Sequence, residues 1–322
     1  MKKAKILITG ITGFAGSHLT EYILNNKLGE IHGTYRGKST DLSNIMHVKD
    51  KLNLVKCDIT DYFVVKRTIK EIDPDYIFHL AAQSFVPESW KSPRETLETN
   101  IMGALNIFEA IREVNPGIKV QIASSSETYG AVYANEIPIT ESNPFRPLSP
   151  YGVSKASMDL LGYQYHQSYG LKIIRTRAFN HTGPRRGEVF VTSNWAKQIA
   201  EIEKGTQEPV LMVGSLTSKR DFTDVRDMVR AYWLAIEKCE PGEAYNICSG
   251  QTHTMQSILD KLLSLTDKKI SVKEDPERLR PSDVKELLGD YSKFGRQTGW
   301  KPEIPLDRTL KDLLEYWRKQ LA

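Results

Sequence analysis

The stretch Ile6–Leu24, ILITGITGFAGSHLTEYIL, constrains the fold more than any other part of the chain. A short apolar run ends at Thr9-Gly10. Glycines recur at 10, 13 and 16, and apolar residues then follow at helical spacing (Leu19, Ile23, Leu24). Strand, glycine turn and amphipathic helix in that order open a βαβ unit. Glycine permits the tight turn and lets backbone N–H groups approach a pyrophosphate, while the helix N-terminus adds favourable partial charge. A glycine triplet alone is weak evidence. The strand before it and the helix after it make it a candidate dinucleotide site.

The same alternation continues through the first half of the chain. Lys5–Ile8, Glu30–Thr34, Leu52–Lys56, Tyr76–Leu80, Lys119–Ala123 and Lys172–Arg177 read as strands. Between them lie segments with apolar residues at helical spacing, such as Val65, Ile69 and Ile72. The expected fold is therefore α/β, a doubly wound parallel sheet with helices on both faces. Past about Arg185 the pattern loosens, punctuated at EKGTQEP, CEPGEA and RLRPSD, with helices expected at Val225–Lys238, Met255–Leu265 and Leu306–Leu321. This divides the chain into a nucleotide-binding domain over 1–185 and a smaller C-terminal α/β lobe over 186–322, interleaved with late strands of the first.

Composition removes several classes of function. A net charge of +4 in 322 residues, with Lys and Arg spread along the chain, argues against nucleic acid as partner. No stretch approaches the ~20 apolar residues that span a bilayer, and Ile6-Leu7-Ile8 is too short for a signal-peptide core. Cys57, Cys239 and Cys248 are spaced for neither a disulfide framework nor a zinc site, so no metal is expected and the reading is a cytoplasmic protein.

Candidate site residues follow the expected strands. Arg36 falls 20 residues after Gly16, where an acidic residue would grip an NAD ribose and an Arg would accommodate a 2′-phosphate. With Lys38 nearby, it points to NADPH, with NADH as the alternative. Asp58-Ile59 follows the third strand; Leu80, Ala81, Ala82 and Gln83 end the fourth, the two alanines letting a flat cofactor lie close. SSSETYG (Ser124–Gly130) reads either as a turn with a solvated Glu127 or as a proton-transfer site. In SPYGVSKASMDLL, Tyr151 and Lys155 stand four apart on one helix face, and an ammonium there would lower the phenol pKa. With 14 Tyr and 44 Lys plus Arg, chance alone gives about two such pairs. The signal is the order: glycine turn, Asp58, HLAAQ, SSSETYG, YGVSK.

In that order the chain resembles the extended short-chain dehydrogenase/reductase family of nucleotide-sugar enzymes over essentially its whole length. The resemblance implies a Rossmann domain for NAD(P), with Gly10, Gly13, Phe14, Ala15, Gly16, Arg36, Asp58, Ile59, Leu80, Ala81, Ala82, Tyr151 and Lys155 at the cofactor. It implies a Ser-Tyr-Lys set at Ser125, Tyr151 and Lys155. The segment RAFNHTGPRRGEVFVTSNWAKQIA is similar to the substrate loop of the GDP-mannose branch, as are SKRDFTDVRDMVRAYWLA, AYNICSG and RPSDVKELLGD. Gln83, Ser125, Glu127, Asn180, Val191, Lys197, Arg220, Arg280 and Asp283 would then meet the GDP-sugar.

Two reactions of that branch compete. One is reduction of the C4 keto group of GDP-4-dehydro-6-deoxy-D-mannose to GDP-D-rhamnose, with Tyr151 as proton donor. The other is 4,6-dehydration of GDP-mannose, with Glu127 as base. Glu127, two residues after Ser125, would share its strand face, and NHTGPRRG leans toward dehydration. Phe14-Ala15 in the glycine turn, the short basic segment at Arg36 and Lys38, and the C-terminal lobe favour reduction. A catalytically silent NADP(H)-sensing protein is a third reading, disfavoured by the intact Tyr-Lys pair. The helices around Leu97–Val114 and Tyr151–Tyr165 (Leu97, Ile101, Leu105, Phe108; Leu161, Tyr165) form an intersubunit four-helix bundle in the resembling family, which implies a homodimer.

Overall fold

Alternation along the strands decides the architecture. In β1 (Lys5–Thr9), Ile6 and Ile8 enter one apolar core and Leu7 enters another. The same split places Phe78 and Ile174 with the first core, and Ile77 and Ile173 with the second. A strand buried on both faces belongs in a parallel sheet covered by helices on each side. The computed structural model, which describes residues 3–278 and 284–322, has that form.

The first half runs β1, α1 (Phe14–Asn25), β2 (Glu30–Tyr35), β3 (Asn53–Lys56), α2 (Tyr62–Ile72), β4 (Tyr76–His79), α3 (Val86–Lys91), α4 (Pro93–Leu97), α5 (Gly103–Val114), β5 (Lys119–Ser125), α6 (Pro150–Tyr169) and β6 (Lys172–Ala178). There follow β7 (Asn180–Thr182), α7 (Val191–Lys204), β8 (Val210–Val213), β9 (Lys219–Asp224), α8 (Val225–Lys238), β10 (Ala244–Ile247), β11 (Thr252–Thr254) and α9 (Met255–Leu263). The chain ends with β12 (Ser271–Glu274), β13 (Glu286–Leu287), α10 (Ser292–Thr298) and α11 (Leu306–Leu321). The seven-stranded sheet has the order β10-β6-β5-β4-β1-β2-β3, parallel throughout. Strand order reverses between β1 and β4, so the crevice at their C-terminal ends is where a ligand sits in such a sheet. No helix among the described residues is long and apolar enough to cross a membrane.

After residue 186 the chain returns to the first sheet: β10 pairs with β6, and α8 contributes Val229, Tyr232 and Trp233 to the core containing Ile6 and Ile8. The remaining elements form a smaller unit. In it, α7, α9 and α11 close over Trp195, Leu211, Ile258, Leu259, Leu310 and Leu313, and β9 pairs with β7, β11 and β13.

Two local features position α6, which carries Tyr151 and Lys155. Ser149 caps α6, its Oγ accepting from Gly152 N at 3.0 Å, and Pro150 fills the first helical position, where no N–H is needed. Between α4 and α5 a π turn at Glu98–Met102 interrupts what the sequence reads as one helix. Asn100 in that turn is buried, donates to Gln83 O (3.0 Å) and Ser154 Oγ (2.9 Å), and accepts from Gln83 N (2.8 Å). It ties the end of β4 to α6. The residues expected at a subunit contact divide: Phe108 and Tyr165 are buried against each other, ring centroids 5.4 Å apart, within this chain's own core. The exposed apolar side chains there are Met102, Val153, Leu160 and Tyr163.

Beneath α6 lies a buried ion cluster. Asp159 Oδ1 accepts from Arg175 Nη1 (2.7 Å) and Arg177 Nη2 (2.9 Å), and Oδ2 accepts from Arg177 Nε (2.9 Å). Arg177 also donates to Tyr129 Oη (3.0 Å) and Glu141 O (2.9 Å). Burial pushes the Asp159 carboxyl pKa up, but hydrogen bonds and charge from the arginines outweigh it, and the net shift is downward. Asp159→Asn keeps the shape and leaves two buried guanidinium groups without their carboxylate. We expect it to lower stability by about 3–5 kcal/mol in urea unfolding; a change within experimental error would show that the cluster does not hold α6.

Candidate active site

The glycine turn is fitted to its neighbours. Gly10 has φ of 70°, and a Cβ there would lie 2.9 Å from Ala81 Cα, so the turn after β1 presses on the end of β4. Thr9 fastens the contact: its Oγ1 accepts from Leu80 N and Ala81 N, both at 3.2 Å, and bonds His79 Nδ1 at 2.9 Å. A Cβ on Gly16 would lie 2.3 Å from Gly10 O, so only glycine lets α1 begin this close to the strand. Gly13 caps α1 without a side-chain hydrogen bond, and the first intrahelical bond runs from Ser17 N to Gly13 O. The N–H groups of Phe14, Ala15 and Gly16 precede that bond and are left for an anion. These residues fit the pyrophosphate of a dinucleotide.

Other candidate cofactor residues line the same edge. Arg36, just past β2, is exposed, as is Lys38. Asp58, past β3, is half-buried and accepts from Thr60 N (3.0 Å) and Thr60 Oγ1 (2.8 Å). Ile59 is buried, its carbonyl accepting from Asn106 Nδ2 at 2.9 Å.

Ser125 ends β5, and its Oγ accepts from Glu127 N at 3.2 Å. That leaves the hydroxyl proton to donate. Glu127 lies in a 3₁₀ turn (Ser126–Thr128), not on the strand, so face alternation is not what brings it to the site. Its backbone packs where α6 passes: a Cβ on Gly152 would lie 2.7 Å from Glu127 O. The Glu127 carboxylate is half-buried and has no hydrogen-bond partner among the described residues.

Tyr151 and Lys155 project from the first turns of α6. Lys155 is buried, donates to Ala123 O at 2.8 Å, and places its Nζ 5.9 Å from the Tyr151 ring centroid. The sequence reading expects a lowered phenol pKa. The structure gives the opposite: burial pushes Tyr151 up to about 12, Glu127's charge adds to the rise, and Ser125's hydrogen bond and Arg186's charge offset only part. Burial also pushes Lys155 down to about 8.

Two residues that the spacing did not single out complete the site. Arg186 lies over the Phe190 ring (3.4 Å from its carbon to the centroid) and the Phe14 ring (4.9 Å), with no carboxylate partner among the described residues. Burial pushes its pKa down to about 10. His181 stacks on Phe14 (centroids 5.9 Å apart, planes within 8°), and burial with Arg186's charge pushes its pKa down to about 4. The signal was present in HTGPRRG, where adjacent arginines follow a Gly-Pro turn.

The remaining candidates sit as follows. Gln83 turns its amide onto its own loop, accepting from Phe85 N (2.6 Å) and donating to Thr96 Oγ1 (3.0 Å). Asn180 opens β7 and is half-buried; Val191 opens α7 and is exposed. Lys197 is held by Glu188, with Glu201 at 3.6 Å. Arg220 is buried on β9 and donates to Val284 O at 2.7 Å and Lys219 O at 2.9 Å. Arg280 and Asp283 lie outside the described residues.

A family model described as GDP-mannose 4,6 dehydratase matches residues 7–313. The GDP-6-deoxy-D-mannose reductase of Pseudomonas aeruginosa is 31% identical over 318 residues, covering 98% of this chain and 98% of that protein. The GDP-mannose 4,6-dehydratase of Yersinia enterocolitica is 35% identical over an alignment of 353, covering 98% of this chain and 93% of that protein. Among solved structures, RMD from Pseudomonas aeruginosa complexed with NADPH is similar at a TM-score of 0.84 and 29% identity, covering 98% of this chain and 99% of that one. The UDP-glucose 4-epimerase of Thermotoga maritima with UDP-glucose reaches 0.88 and 30%, covering 99% and 100%.

The buried lysine gives a stability prediction with a definite sign. Below pH about 8 Lys155 is protonated folded and unfolded, and the folded state bears the full cost of burying the ammonium. Between about 8 and the unfolded value of 10.5 only the unfolded chain keeps that proton, so the contribution of this group to stability rises with pH. Lys155→Met removes the cost. It should stabilise the protein at pH 7 by on the order of 1–3 kcal/mol, after allowing for the lost bond to Ala123 O. The gain should shrink toward pH 10. Thermal melts at the two pH values check this, and destabilisation at pH 7 would contradict it.

Proposed function

This chain belongs to the GDP-mannose 4,6-dehydratase family of NAD(P)-dependent nucleotide-sugar enzymes, and we propose that it reduces the C4 keto group of GDP-4-dehydro-6-deoxy-D-mannose to GDP-D-rhamnose with NADPH. One observation carries the reading: the near end-to-end match to the Pseudomonas reductase, 98% of this chain and 98% of that protein. Reduction needs a proton donor at the carbonyl oxygen, and the buried Tyr151 phenol, like any phenol protonated at neutral pH, is available for that role.

The residues divide the work as follows. The N–H groups at the start of α1 would hold the cofactor pyrophosphate, and Arg36 with Lys38 the 2′-phosphate. NADPH in that place supplies the hydride that reaches C4. Ser125 donates its hydroxyl proton as a hydrogen bond to the keto oxygen and so orients it. Tyr151 transfers its proton to that oxygen, leaving an alcohol and a phenolate. Lys155 and Arg186 stabilise the phenolate until solvent returns the proton, a charge stabilisation strengthened by the burial of Tyr151 and Lys155.

A second reading rests on Glu127. A half-buried carboxylate without a hydrogen-bond partner among the described residues, close enough to raise the Tyr151 pKa, supports a role for Glu127 as a dehydratase base. The higher identity to the Yersinia dehydratase points the same way. The apolar stripe Val153, Leu160, Tyr163 on α6, with Met102 nearby in sequence to α5, supports a homodimer through these helices.

The assays follow directly. GDP-mannose alone should give negligible conversion, and the 4-keto sugar with NADPH should consume NADPH; rapid formation of the keto sugar from GDP-mannose would favour dehydration. Tyr151→Phe should lower turnover by about 10²–10⁴ with NADPH binding retained. Glu127→Gln should keep most of the C4 reduction, and complete loss would give Glu127 an essential role. Light scattering at micromolar concentration should report twice the 36.6 kDa of the chain; a monomer mass would remove the dimer.

A further inference from the structure

Arg185 adopts a left-handed backbone with φ of 70°, a conformation that costs an Arg about 1 kcal/mol or more and persists only where its surroundings impose it. Those surroundings are on α1. Arg185 Nη1 and Nη2 donate to Glu21 Oε1 (2.9 Å) and Oε2 (2.7 Å), a two-pronged carboxylate pair. Nη1 also reaches Asn44 O at 3.2 Å. Next to it His18, neutral because burial pushes its pKa down to about 4, bonds Pro184 O through Nε2 at 2.8 Å. Arg185 reaches both ring nitrogens, from Nη2 to Nδ1 at 2.7 Å and from Nε to Nε2 at 3.3 Å. Two consecutive residues, Pro184 and Arg185, are thus fastened to the helix of the glycine turn.

The next residue is Arg186, whose guanidinium lies inward over Phe14 and Phe190 without a carboxylate partner among the described residues. An unpaired cation on a free loop gains by turning toward water. We propose that Arg185 is a positioning residue: its clasp on His18 and Glu21 holds the 183–187 turn so that Arg186 stays inside the cofactor crevice. The clasp also couples α1 to the segment leading into α7. This inference rests on the proposed use of NADPH and on no choice between reduction and dehydration.

Two measurements on the full chain test it. The first is NADPH binding by fluorescence titration to wild type, Glu21→Gln, Arg186→Gln and the double variant. Glu21→Gln, a half-buried change that leaves Arg185 in place, should weaken NADPH about tenfold, or about 1.4 kcal/mol. In the Arg186→Gln background the same change should weaken it less than about twofold, because the two residues act as one unit. Arg185→Lys keeps the charge but not the fork and should follow Glu21→Gln. Equal losses in both backgrounds, or none, would overturn the proposal. The second is limited trypsin digestion without cofactor. Cleavage after Arg185 or Arg186 should be several-fold faster in Glu21→Gln than in wild type, and equal rates would overturn the clasp. If wild type fails to bind NADPH, the cofactor reading falls, and the digestion still judges the clasp.

Discussion

The site depends on one buried carboxylate. Asp159 accepts three hydrogen bonds from Arg175 and Arg177, and so locks α6 to β6 two turns below Tyr151. From the same helix Lys155 reaches Ala123 O on β5, the strand that ends in Ser125. The candidate triplet Ser125, Tyr151 and Lys155 is therefore held by links between one helix and two strands. Replacing such a cluster with apolar residues need not lose stability, but it would lose the register of the helix. Register is what the proposed reduction requires, since its proton donor must sit within hydrogen-bond reach of a carbonyl held by a neighbouring strand.

The electrostatics of the crevice follow from the burial of its titratable groups. Burial keeps His79 and His181 neutral at physiological pH and lowers the pKa of Lys155 and Arg186. It also pushes the Tyr151 pKa up to about 12. Lys155 Nζ lies 5.9 Å from the Tyr151 ring centroid and Arg186's charge reaches the phenol, neither with a carboxylate partner among the described residues; Glu127 is the acid whose charge the phenol feels. Such a site stabilises negative charge as it forms on the phenol or on an incoming phosphate. Its cations lose stability to the fold in order to be in place beforehand.

Much of this was legible in the chain. The glycine turn, the six early strands and the Tyr151–Lys155 pair are local patterns, set by period and by backbone freedom, and a linear reading captures them. The π turn at Glu98–Met102 was not legible, because it is imposed by Asn100's bonds to Gln83 and Ser154, partners distant in sequence. Tyr151's pKa direction was missed because helix spacing reveals the nearby ammonium but not the burial that outweighs it. Gln83 and Lys197, expected at the substrate, are engaged by Phe85, Thr96 and Glu188, contacts that spacing does not encode. Arg186 escaped notice because its position depends on a fold-back of Arg185 onto α1, across 164 residues of sequence.

The central claim, that Tyr151 gives its proton to a C4 carbonyl while hydride arrives from NADPH, is most directly tested by isotope transfer. With NADPH deuterated at the transferable position and the 4-keto sugar, one deuterium per product should appear at C4, with equal NADP⁺ formed. Product without deuterium at C4, or turnover of GDP-mannose with hydrogen moved from C4 to C6 and no net NADP⁺, would contradict the account.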